Sequence, residues 1–101
     1  MKKQFKVQLF THENWVTEQM VLAAARSNSG FAPVDLKTLK TVGEGMAEQF
    51  PDLCRTPTTI ELIDNRLHID YKGLNGWEQA AIIEEIEVFE PVFETEEGGL
   101  I

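Results

Sequence analysis

With a single cysteine, Cys54, the 101-residue chain cannot form an internal disulfide, and a domain of this length does not need one. Proline and glycine are sparse, at 4 and 7 residues, and 43% of the residues are hydrophobic, which excludes fibrous and wholly disordered chains. No apolar run approaches the ~18 residues a membrane span needs. The opening MKKQFKVQLF alternates apolar and polar residues and leads into no small-residue cleavage site, so a secretory leader is not expected. A cytoplasmic location without membrane attachment is the expectation.

Basic residues are missing where acids concentrate. Residues 1–72 carry nine acids and nine bases, whereas residues 73–101 carry eight acids and no base, so the net charge of -8 lies wholly in the last stretch. Its glutamates are Glu78, Glu84, Glu85, Glu87, Glu90, Glu94, Glu96 and Glu97, interleaved with Ile86, Val88, Phe89, Val92 and Phe93. A purely solvating acidic tail is poor in aromatic and β-branched residues, so part of this segment is expected to be buried. Residues 1–97 are read as one domain with an acidic C-terminal third (73–97), and Gly98 to Ile101 as a frayed end.

Periodicity supplies the elements. Phe5, Val7 and Leu9 alternate with Lys6 and Gln8, predicting a half-buried strand over Lys3 to Phe10. Thr11 or Asn14 caps a helix from Trp15 to about Arg26, rich in good helix formers and ended by Ser27 to Gly30. A second helix is predicted from Leu36 to Phe50, with Asp35 as N-cap, Val34 and Leu39 as a staple and a stripe of Leu36, Leu39, Val42, Met46 and Phe50. Gly43 and Gly45 predict a bend near Glu44, and Pro51 stops the helix before an ordered loop to Pro57. Thr58 to Lys72 reads as a hairpin turning at Asp64 and Asn65, in which pairing Ile63 with Arg66 makes each face chemically uniform.

Asn75 to Glu78 has capping-box spacing, which predicts a third helix to about Glu85 and an extended stretch from Glu87 to Phe93. An edge strand is the rival, because Ile86 and Val88 alternate with Glu85, Glu87 and Phe89. The expected fold is a single-domain α+β arrangement: strand, helix, helix, β-hairpin, helix and terminal strand, with a small, mainly antiparallel sheet covered on one face by helices.

Chemistry-bearing groupings are weak. His12 with Glu13 and His68 with Asp70 lack metal-ligand spacing and are read as surface histidines. Cys54 beside Arg55 has no adjacent general base and is read as a packed thiol. Gly43-Glu44-Gly45 lacks the strand, lysine and helix start of a phosphate loop. Trp15 and Trp77 are read as core residues. No catalytic residue, cofactor or metal is expected, and an enzyme built on Cys54, His12 or His68 is the third choice.

Lys2, Lys3 and Lys6 form the only basic cluster, too small for direct nucleic-acid binding, and are placed to complement the acidic end if the first strand lies beside the last segment. The leading expectation is a non-enzymatic inhibitor or adaptor docking on a positively charged partner protein, with nucleic acid displaced if that surface normally holds it. Its contact residues are Glu84, Glu85, Glu87, Phe89, Glu90, Val92, Phe93 and Glu94: carboxylates steer the encounter and apolar residues anchor it. The alternative is an assembly subunit that self-associates, possible as a homodimer, through a sheet edge.

Overall fold

The structure is a computed structural model that describes residues 2–31, 33, 35–54 and 56–88. In chain order the elements are β1 (Lys2–Leu9), α1 (Trp15–Asn28), α2 (Leu36–Gln49), β2 (Thr58–Ile63), β3 (Arg66–Gly73) and β4 (Gly76–Val88). They form a single-domain α+β fold. The four strands make one antiparallel sheet in the order β1-β4-β3-β2, with both helices on one face.

Local chemistry accounts for the helix starts. Asn14 caps α1 by accepting from the Thr17 N–H, and Asp35 caps α2 by accepting from the Thr38 N–H at 2.8 Å. That bond holds the Asp35 carboxyl below the usual carboxylate range. Helix α2 ends at the Phe50 cap just before Pro51. The hairpin has the expected register, Ile63 opposite Arg66, Glu61 opposite His68 and Ile60 opposite Ile69, around Asp64 and Asn65 at φ 50° and 63°.

Side chains directed at the helices form the core. Phe5 from β1, Ile60 from β2, Leu67 and Ile69 from β3 and Ile83 from β4 pack with Met20 of α1 and Leu39 of α2. Leu67, Ile69, Ile83, Met20 and Leu39 are fully buried, and each such burial contributes about 2 kcal/mol of apolar transfer.

Two expectations are corrected. The segment predicted as a third helix is the strand β4, thirteen residues long and hydrogen-bonded on both sides. Its β-branched Ile82, Ile83 and Ile86 favour a pleated surface once two partner strands are available. A bulge disguises the alternation: Ile69 lies opposite Ala81 and Asp70 opposite Gln79, so Ala80 is an extra residue, and both alanines are fully buried. Two consecutive buried residues break period two and imitate a helical stripe. The extended stretch placed at Glu87 to Phe93 begins inside this strand, and the part beyond Val88 lies outside the described residues, as do the end at 98–101 and Val34 of the staple. Finally, α2 runs unbroken through Gly43 and Gly45.

The first strand is an edge of the sheet, and α1 closes it. Asn28, in the last turn of α1, accepts from the Phe5 N–H at 2.7 Å and donates to the Phe5 carbonyl at 2.9 Å, occupying the backbone position a neighbouring strand would take. Asn28→Ala removes both bonds, and because the freed groups regain water the expected loss is about 1 kcal/mol in urea denaturation. A variant as stable as the parent would show that the clamp contributes nothing net.

Candidate functional site

Strand β4 carries the start of the acidic segment into the middle of the sheet, so its side chains alternate between the helix side and the open face. Glu84 points to the open face, opposite Lys6 on β1 and Arg66 on β3, and accepts from Arg66 Nε at 3.4 Å. Glu85 lies on the helix side opposite Phe5, with a side chain only 13% exposed. Lys3 Nζ is 4.0 Å from Glu85 Oε2, and that oxygen has no hydrogen-bond partner. Glu87 shares the side of Glu85, opposite Lys3 in register, and is exposed. Phe89, Glu90, Val92, Phe93 and Glu94 lie outside the described residues.

The three described glutamates of the expected contact set are therefore close along the chain but divided between two faces. Lysines of β1 and Arg66 sit beside them because antiparallel pairing of β1 with β4 aligns Lys3 with Glu87 and Lys6 with Glu84. The Arg66–Glu84 and Lys3–Glu85 pairs have half or more of the basic side chain exposed. An exposed pair such as Arg66–Glu84 contributes at most about 1 kcal/mol, so an incoming cation can exchange for Arg66 at small cost, whereas the Glu85 carboxylate is largely covered. Arg66 as the neighbour of Glu84 was not legible from sequence, because it follows only once β4 is known to be a strand beside β3.

Other groupings remain apart. His12 is exposed in the loop before α1, on the helix side near Leu9 and Leu22, whereas His68 is on the open face of β3 beside Glu61; the sheet separates them. Cys54 is partly buried against the core, and desolvation pushes its thiol up, away from the thiolate a nucleophile needs. Gly43-Glu44-Gly45 lies inside α2, where its amides belong to the helix ladder. Among the described residues no group of three or more His, Cys, Asp or Glu is arranged to hold a metal ion, and no helix is long and apolar enough to cross a membrane. Trp15 meets the core expectation, packing edge-on against Phe50 at 5.7 Å between ring centroids. Trp77 does not: it is 54% exposed opposite Lys72, near the turn that joins β3 to β4.

Comparison with protein-family models, with curated proteins and with solved structures gives no match for this chain.

Proposed function

We propose that the protein is a non-enzymatic acidic binding module, a small inhibitor or adaptor that docks on a positively charged surface of a partner protein. The observation that carries this reading is the separation of charge: eight acids and no base after Lys72, in a chain otherwise balanced. Support comes from the weak, solvent-accessible pair of Arg66 with Glu84 and from the exposure of Glu87, which leave carboxylates available for exchange. Beyond Val88 the sequence adds Glu90, Glu94, Glu96 and Glu97, with Phe89, Val92 and Phe93 as apolar anchors. Carboxylates raise the encounter rate with a cationic surface, and buried aromatic anchors slow departure. If that surface normally holds DNA or RNA, the carboxylates take the place of phosphates and the protein competes with nucleic acid.

Immobilised protein exposed to host extract is expected to retain a partner at low salt and release it at high salt, where the screening length shortens. With the isolated partner, changing Glu87, Glu90 and Glu94 together to Lys slows association by about tenfold, while Phe89→Ala or Phe93→Ala speeds dissociation. Association indifferent to both ionic strength and the charge reversals removes this function. A stable dimer of the isolated chain by sedimentation would favour the assembly-subunit alternative instead.

A further inference from the structure

The two edges of the sheet are treated differently. At β1 the outward N–H and carbonyl of Phe5 are taken by Asn28. At β2 the turn of two residues at positive φ makes Ile63 and Arg66 a hydrogen-bonded pair, and pairs of that kind recur at every second position. Glu61 with His68 and Thr59 with Asp70 are then of the same type, and the Lys72 N–H bonded to the Pro57 carbonyl at 3.0 Å continues the alternation. The N–H and carbonyl groups of Thr58, Ile60 and Leu62 consequently point away from β3, and among the described residues no strand lies beyond β2.

Apart from its short length and the single charge of Glu61, this strand has few of the devices that protect an edge. Thr58–Ile63 contains no lysine and no proline, its register with β3 has no bulge, and Leu62 and Ile63 are 42% and 47% exposed. Beside the edge runs an open groove of about 540 Å³ between α2 and β2, lined by Glu44, Ala47 and Glu48 of α2 and by the Thr58 to Glu61 stretch of β2. Lys40 engages Glu44 at 2.7 Å, whereas Glu48 and Glu61 have no ion-pair partner among the described residues.

We propose that the open edge of β2 accepts an extended segment of a partner protein as a fifth strand, with apolar side chains set against Ala47 and Leu62 on the helix side and Lys or Arg beside Glu61 on the open face. Backbone bonds to Thr58, Ile60 and Leu62 supply the pairing, and charge selects the occupant. A second copy of this chain is the wrong occupant: pairing β2 with itself brings Glu61 of both molecules to the same face of one seam, in a protein that already carries -8. This surface is independent of the β4 glutamates and stands or falls without them.

The test uses the full chain and a capped peptide of alternating Lys and Val, titrated while backbone amides are followed by NMR. Binding is expected to protect the Ile60 and Leu62 amides from exchange. An extended strand presents only alternate amides to its neighbour, so methylating one alternate set of peptide nitrogens should weaken binding by about tenfold or more, while methylating the other set leaves it nearly unchanged. Glu61→Lys, at an exposed position, should also weaken it by about tenfold at low salt, and a Glu and Val peptide of equal length should not bind. Equal affinity of both methylated peptides, protection at other amides, equal binding of the acidic peptide, or no binding at millimolar concentration would each overturn the proposal. Self-association that protects the same two amides would overturn the choice of occupant.

Discussion

Asn14→Ala is expected to lower the unfolding free energy by about 3 kcal/mol, combining a lost helix cap with polar groups left unpaired in the interior. Asn14 is 4% exposed and does three things at once. Its Oδ1 accepts from the Thr17 N–H and from the Thr17 hydroxyl, both at 2.9 Å, and its Nδ2 donates to the Thr58 hydroxyl at 3.0 Å. Thr17 is fully buried, so alanine at position 14 leaves its hydroxyl with no replacement partner from water. The bond to Thr58 also ties the start of α1 to the start of β2, forty-four residues away. Asn14→Ser keeps the acceptor for the cap and loses that tether, so its cost should fall between the parent and the alanine variant. Urea denaturation with equal slopes would measure both; an alanine variant within about 0.5 kcal/mol of the parent, the ordinary range for an exposed site, would show that these bonds have no net value.

Gly43→Ala and Gly45→Ala should have opposite signs although both sit in the middle of α2. A Cβ at position 43 collides with Met20 Sδ and comes within 2.8 Å of Ile60 Cδ1, in the layer where α2 crosses α1 and β2. Met20 is fully buried and Ile60 nearly so, which leaves little room to yield, and the expected cost is about 2 kcal/mol. A Cβ at position 45 meets nothing within 4 Å, so there alanine should stabilise by about 1 kcal/mol through helix propensity alone. Thermal or denaturant unfolding of the pair provides an internal control. Stabilisation by both substitutions would mean that α2 can move away from Met20 without loss.

This contrast explains the expected bend that does not occur near Glu44. Propensity assigns both glycines the same penalty, but only packing shows that Gly43 permits close approach of two layers. The contacts at Met20 and Ile60 come from segments more than fifteen residues away on either side, and no local rule anticipates them.

Much of the architecture was legible because the determinants are local. Alternation at Phe5, Val7 and Leu9 marks β1; Asn14 and Asp35 mark helix starts; Asp64 and Asn65, the two residues with positive φ outside glycine, set the hairpin register. The α+β class follows from these alone. The candidate contact set was readable only as a run of charge. Which of its members share a surface depends on the strand that carries them, and Glu84 separates from Glu85 and Glu87 because a strand alternates where a helix would have grouped them differently.

What the chain determines by itself is where charge, turns and caps lie, since each is set by the chemistry of a few neighbouring residues. What only the tertiary structure decides is the conformation of Gly76–Val88 and everything that depends on it. Its intrinsic preferences are divided: alanines and a capping-box spacing favour helix, isoleucines favour strand, and the bulge at Ala80 hides the alternation. The balance is tipped by hydrogen bonding to β1 on one side and β3 on the other, long-range pairings that satisfy both edges of the segment and bury Ala80, Ala81 and Ile83 under the helices. The same pairings bring Lys3, Lys6 and Arg66 beside the glutamates and, among the described residues, leave β2 as the edge with no strand or side chain paired to it.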